Sequence, residues 1–391
     1  MTTRLRTVPS LALASVVAVG VAAPANGRAQ AAVQAAQPPA PQPPAPQSPA
    51  PQLPASQPPA EVLVVLEKDS AAARLLDPAS GATLARLPTG PFPHEVAVSP
   101  DGRTAVVADY GAQEPGRTLT VLDLPGRRVA RTIDLGEYRR PHGIVWLPPA
   151  NGPANGSTGR AGQRVVVTAE QSQALLVVDV DGGRVERAIP SGQRGTHMVV
   201  VGSTGRRAWT ANIGSGSVRL FDLARGDTVR TRVTGRGPEA IDVSPDGREV
   251  WAADRQLDRI TVLDATTLDS LASMPTGRFP NRLKFTPDGR YVLVSNAAAG
   301  TLGVYDARAR RLLAEVALGE GPPADAGPMN PSGRSRVPLG IEMAPGGARA
   351  WVALNAANAL AEVEVPSGRV VRRVPAGAGP DGMAYARPGG R

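Results

Sequence analysis

"SPDGREVWAADRQLDRITVLD" (residues 244–264) and "TPDGRYVLVSNAAAGTLGVYD" (residues 286–306) follow one pattern, about 42 residues apart. Each has a tight turn, a short apolar run, a polar turn and a second apolar run that ends in Asp. The runs are short, rich in Val, and bounded by turn residues, so they read as strands. Asp246-Gly247 and Asp288-Gly289 supply the positive φ that a tight antiparallel hairpin needs.

Working outward, the same unit fills the chain from residue 61. Asp101-Gly102 repeats the turn, and Gly346-Gly347 and Thr204-Gly205 are degenerate copies. A further strand precedes each turn, beginning at Pro93, Pro141, Thr196, Pro238, Pro280, Pro338 and Pro380. Seven third strands follow: "RLLD", "TVLD", "LVVD", "RLFD", "TVLD", "GVYD" and "AEVE". The first strand at Pro380 lacks partners after it, whereas "EVLVVLEKDS" (61–70), "ARLLD" and "ATLARLP" lack a first strand before them. One blade is therefore closed by strands from both ends of the chain. The fold expected is all-β, a seven-bladed β-propeller over residues 61–391. Trp209, Trp251 and Trp351 share one register and are expected to pack between blades.

The remaining sequence is of another kind. "MTTRLR" followed by "VPSLALASVVAVGVA" and "APA" reads as a secretory signal peptide over residues 1–25, with cleavage before Asn26 and a second choice near Gln30. Residues 26–60 are a Pro/Ala/Gln-rich linker, extended and solvated because proline removes backbone donors. The expected location is periplasmic or extracellular, with no transmembrane segment in the mature chain, which is expected to be monomeric. The chain has no cysteine, which excludes disulfides, thiolate metal sites and a lipoprotein anchor. Its formal charge of +9 favours anionic partners without specifying one.

The repeats resemble the YVTN-type propeller family, whose units read "PDGRxxYVxNxxxxTVxVxD". The resemblance covers most of residues 61–391 and implies the propeller fold. It leaves the activity open, since similar repeats occur in secreted surface proteins, lactonase-like propellers and d1-haem-domain-like propellers.

The repeat also aligns candidate site residues on one face. Directly after each first-strand Pro or Thr stand His94, His142, His197, Glu239, Asn281, Leu339 and Asp381. The second strands end in Glu67, Asp109, Glu170, Asn212, Asp254, Asn296 and Asn355. Three residues before the first set stand Arg139, Arg194, Arg236, Arg278 and Arg336. The strand-end Asp of the third strands, such as Asp123 and Asp264, is expected to accept backbone N–H groups in the next turn. The long segment 320–338 and the expansion at 110–117 are expected on the ligand face. The insertion 148–163 is expected opposite it.

Three chemistries fit this pattern. One is a divalent transition-metal site from His94, His142, His197 and Glu239, because imidazole and carboxylate suit such ions. A second is lactonase-like hydrolysis, with Glu239 the candidate catalytic base near Arg236 and Arg278. The third, preferred, is a non-catalytic propeller that holds an anionic small molecule, a peptide or a glycan. It would use Arg139, Arg194, Arg236, Arg278, Arg336, Asp109, Asp254, Asn281 and Asp381. Nucleic acid is disfavoured because few aromatics are present for base stacking. Backbone-only contact through the Arg set remains its one route.

Overall fold

The structure, a computed structural model, describes residues 61–148, 163–319, 329 and 335–387. The signal-peptide and linker expectations (1–25 and 26–60) lie outside the described residues. So do most of the insertion at 148–163 and most of the segment 320–338.

The described chain forms seven four-stranded antiparallel sheets. Strand β28 (Pro380–Ala386) pairs with β1 (Val62–Glu67), which continues through β2 (Ala72–Leu76) to β3 (Thr83–Pro88). The last strand thus closes the first blade. The other six inner strands are β4 (Pro93–Val98), β8 (Pro141–Trp146), β12 (Thr196–Val201), β16 (Pro238–Val243), β20 (Pro280–Phe285) and β24 (Pro338–Met343). All seven begin where the repeat places them, and each packs on the inner strands of both neighbouring blades. Among the described residues no helix is long and apolar enough to cross a membrane.

The hydrophobic core is divided among blade interfaces. Trp251, fully buried, packs with Leu283 and Phe285 of the next blade. Trp209 meets Ile241 and Val250, and Trp351 meets Leu63 and Met383. Small β-branched residues fill the second strands, and this is why so few aromatics suffice. Burial falls outward, and the outermost strand β15 (Asp227–Val233) is exposed along its whole length.

Turn chemistry follows the sequence. Ser99, Ser244 and Thr286 donate their hydroxyls to Asp101, Asp246 and Asp288, each followed by a glycine with φ near +70°. Asp123 accepts from Gly126 N at 3.1 Å, and Asp264 accepts from Thr266 N and Thr267 N. These strand-end acids satisfy backbone donors, as expected.

One irregularity positions the site. In every inner strand the pairing to the second strand slips by one residue just after its first position. Pro93 opposes Asp109, and Glu95 then opposes Ala108, so the inner strand carries one residue more than its partner. Such a β-bulge re-aims a side chain out of the ladder.

The ends of the second strands are locking residues. Asp109 is fully buried and accepts from Gly90 N at 3.0 Å, Thr118 Oγ1 at 2.8 Å and Thr120 Oγ1 at 2.9 Å. Asp254 accepts from the backbone N–H groups of Arg236, Gly237, Gln256 and Leu257. Burial pushes the Asp109 carboxyl up to about 6, against those three donors. Its folded value lies above the ordinary 3.8, so the ionised form opposes folding. That penalty is fully present above pH 6 and is relieved as pH falls through 6 towards 4. Urea unfolding at pH 7 and pH 5 checks this. Wild type should gain about 1 kcal/mol relative to Asp109→Asn on going to pH 5, and a constant difference between the two would contradict the assignment.

Candidate functional site

The bulge turns seven side chains towards the channel axis. His94, His142, His197, Glu239, Asn281, Leu339 and Asp381 all line one cavity of about 430 Å³ at the channel mouth. Lys68, Phe92, Tyr110, Glu170, Arg255, Arg282 and Met329 complete most of the wall. Tyr110 comes from the expanded segment 110–117 and Met329 from the segment 320–338, both expected on this face.

Glu239 is the hub of the ionic side. It is 4 % exposed and accepts from His197 Nε2 at 3.2 Å, Asn281 Nδ2 at 3.1 Å, Arg282 Nη1 at 3.5 Å and Arg255 Nη1. Burial alone would raise its carboxyl, but the positive charge of His197, followed by those of Arg255 and Arg282, lowers it to about 2. A carboxylate so well supplied with donors is a poor proton acceptor. Its role is to hold cations in place.

The three histidines occupy different states. His197 sits between two carboxylates, with Nδ1 2.7 Å from Glu170 and Nε2 3.2 Å from Glu239. Burial opposes its charge, but Glu239 and then the bond to Glu170 raise it to about 9, so it is an imidazolium at neutral pH. His142 stacks on it with ring centroids 3.6 Å apart. Burial, then the charge of His197, holds His142 well below the usual imidazole range. Burial also lowers His94, although Asp381 Oδ2 lies 3.2 Å from its Nδ1 and pulls the other way. His94, His142, Tyr110 and Phe92 form a continuous patch of rings, with centroids 4.6–5.4 Å apart.

The metal set expected from sequence is brought together, but not as a ligand set. Both nitrogens of His197 are taken by carboxylates, and Glu239 is saturated with N–H donors. Among the described residues, no three His, Cys, Asp or Glu are placed to hold a metal ion.

The five aligned arginines do not enter the cavity. Arg194, Arg236 and Arg278 are exposed, and Arg139 and Arg336 are half-buried. Arg139, Arg194, Arg278 and Arg336 are each followed by a residue of positive φ (Arg140, Gly195, Phe279 and Val337). That turn separates them from the inner strand that follows. Asp109 is taken up by Gly90 N and two threonine hydroxyls and Asp254 by backbone N–H groups, and Glu170 alone of the second-strand set reaches the cavity wall.

Sequence reasoning missed Arg282. It is 7 % exposed and pairs with Glu95 through Nη2, and through Nε at 2.9 Å. It lines both the mouth and a second cavity of about 350 Å³ further along the channel. The signal for it was the third inner-strand position, which reads Glu95, Gly143, Met198, Ala240, Arg282, Gly340 and Gly382. Only two of these carry charge. At Gly340 a Cβ would come within 2.1 Å of Asp381 O, so neighbouring strands there admit no side chain. Lys68, which lies 3.3 Å from Asp381, and Tyr110 had no periodic signal.

Comparison with known proteins agrees with this architecture. A model of the family described as "Lactonase, 7-bladed beta-propeller" matches residues 226–316. No curated protein sequence matches the chain. Among solved structures, hydrazine synthase of Kuenenia stuttgartiensis superposes with a TM-score of 0.60 at 18 % identity, over 74 % of this chain and 88 % of that one. At that identity the likeness is one of fold. The matched segment, the repeat pattern and the seven sheets agree on the fold: this chain is a seven-bladed β-propeller, similar over residues 226–316 to the lactonase family.

Proposed function

We propose that the channel mouth binds a small polar ligand, an anionic molecule, a peptide end or a glycan, in a protein exported from the cytoplasm. One observation carries the reading. His94 Nε2, His142 Nδ1 and Asp381 Oδ1 are buried without hydrogen-bond partners, and all three residues line the same cavity. Buried polar atoms are nearly always paired, so an unpaired group in a concave site points to a ligand that completes it. Around these atoms stand cations already fixed by carboxylates: Arg255, Arg282, Lys68 and the His197 imidazolium. Such pre-ordered donors recognise carboxylate or hydroxyl oxygens with little loss of side-chain freedom.

The lactonase-type match favours hydrolysis of a cyclic ester as the second reading, since the matched segment carries Glu239, Arg255, Asn281 and Arg282. In that reading Arg255, Arg282 and the His197 imidazolium would stabilise developing negative charge. Glu239 would orient them.

The variants that test binding separate cavity from rim. Thermal-shift and calorimetric titration with gluconate, citrate, short peptides and maltose should give at least one binder. Asn281→Leu and Arg255→Met should weaken it about 10- to 100-fold, the loss of one or two buried polar contacts. Arg194→Ala and Arg278→Ala should leave it unchanged. The reverse pattern would sink the cavity reading. Turnover of a lactone panel, with and without divalent metal, distinguishes the hydrolytic reading, which fails if none is hydrolysed. Export is checked by N-terminal sequencing of the mature protein, expected to begin at Asn26. A chain retaining Met1 in the cytoplasmic fraction would contradict it.

A further inference from the structure

We propose that the molecule completing the channel mouth is uncharged and multiply hydroxylated, a sugar or polyol rather than an anion. The inference rests on the mouth being a ligand site and narrows what that site takes. Its first support is the kind of atom left unpaired. Asp381 Oδ2 is used by Lys68 Nζ at 3.3 Å and by His94 Nδ1 at 3.2 Å. Asp381 Oδ1 is buried without a hydrogen-bond partner, and Arg282 Nη2 is 4.0 Å from it, beyond hydrogen-bond reach. Because His94 Nδ1 faces that carboxylate, the ring proton sits on Nδ1, and the buried Nε2 presents a lone pair. These two orphan acceptors call for O–H or N–H donors from the ligand. A carboxylate brings none. His142 Nδ1 also lacks a partner. A hydroxyl serves it whichever ring nitrogen carries the proton, since a hydroxyl both donates and accepts.

The second support is the charge balance. Each cation of the mouth already has a carboxylate against it. Lys68 lies on Asp381, and His197 Nδ1 is 2.7 Å from Glu170. Arg255 pairs with Glu239, and Arg282 with Glu95. Four positive and four negative charges cancel. An entering anion finds each of these cations already paired, and it loses its hydration without gaining a free counter-charge. An uncharged ligand avoids that cost. Donors remain for its oxygens: Lys68 Nζ makes one of its three possible bonds, and Arg255 makes one through Nη1.

The third support is the wall. Phe92, His94 and Tyr110 pack edge to face, with centroids 5.2 and 4.6 Å apart, and line the same cavity. Rings beside a few convergent polar groups are the usual make-up of a small-molecule site. This surface takes the C–H face of a sugar while hydroxyls at its edge reach Asp381 and His94.

Matched pairs of probes separate charge from shape. Sorbitol and gluconate share a hydroxylated chain, glucose and glucuronate share a ring, and one carboxylate distinguishes the members of each pair. Calorimetric titration at constant ionic strength should show the neutral member of at least one pair binding about 10-fold more tightly than its acid, the worth of one buried polar contact. His94→Phe keeps a ring and the charge balance but removes the Nε2 acceptor, and should weaken the neutral member about 10-fold. Asp381→Asn removes a negative charge as well as an orphan acceptor. It should narrow or reverse the preference within the pair, which a purely structural loss would not do. Circular dichroism confirms folding, and where Asp381→Asn does not fold, His94→Phe carries the test. An acid that binds as tightly as its neutral partner, or more so, overturns the inference and leaves the mouth a ligand site. Binding of citrate or a peptide with no member of either pair does the same. A neutral member that binds wild type and His94→Phe alike also overturns it. No binder among all these probes overturns both readings.

Discussion

The site rests on one backbone constraint, the extra residue in each inner strand. The slip after Pro93, repeated in all seven blades, takes the second residue out of the hydrogen-bonded ladder. Seven side chains otherwise committed to alternation across a sheet turn into one channel mouth. The ring makes this reproducible, since each blade interface has its own packed apolar cluster and closure by β28 leaves no blade unsupported. A rigid frame of this kind can hold charges that would otherwise be costly to bury.

Those charges arrange themselves around Glu239. It gathers His197, Asn281, Arg255 and Arg282, and Arg282 reaches on to Glu95. Asp381 organises the other side through Lys68 and His94. One histidine is thereby held as a cation between Glu170 and Glu239, while burial keeps the other two neutral. Identical residue types at identical repeat positions thus do different work, set by the acid or ring beside each. Repeat copying accounts for the shared register but not for this division, which depends on residues outside the repeat such as Tyr110 and Lys68.

What was legible in the sequence followed from periodicity. The number of blades, the closing strand and the inner-strand second position could be counted, and a bulge repeated in every blade kept that position coherent. The arginines at the −3 position shared the register but not the direction, because after four of the five a residue of positive φ intervenes before the inner strand. Asp109 and Asp254 looked like ligand groups, yet free backbone N–H groups and threonine hydroxyls lay closer to them than the cavity. Arg282, Arg255 and Lys68 were illegible because each residue type occurs at its register in one blade only. Two charges of opposite sign, Glu95 and Arg282, in a register otherwise filled by glycine, alanine and methionine are the pattern that could have found the most important of them.

Histidine ionisation tests the central claim most directly. With three histidines, a long-range nitrogen–proton correlation spectrum of ¹⁵N-labelled protein at pH 7.5 contains three ring systems, assignable by single substitutions. The account requires one imidazolium, His197, which loses its proton only near pH 9, and two neutral rings, with His94 protonated on Nδ1. Three neutral rings at pH 7.5, or a His197 that titrates near 6.5, would contradict it.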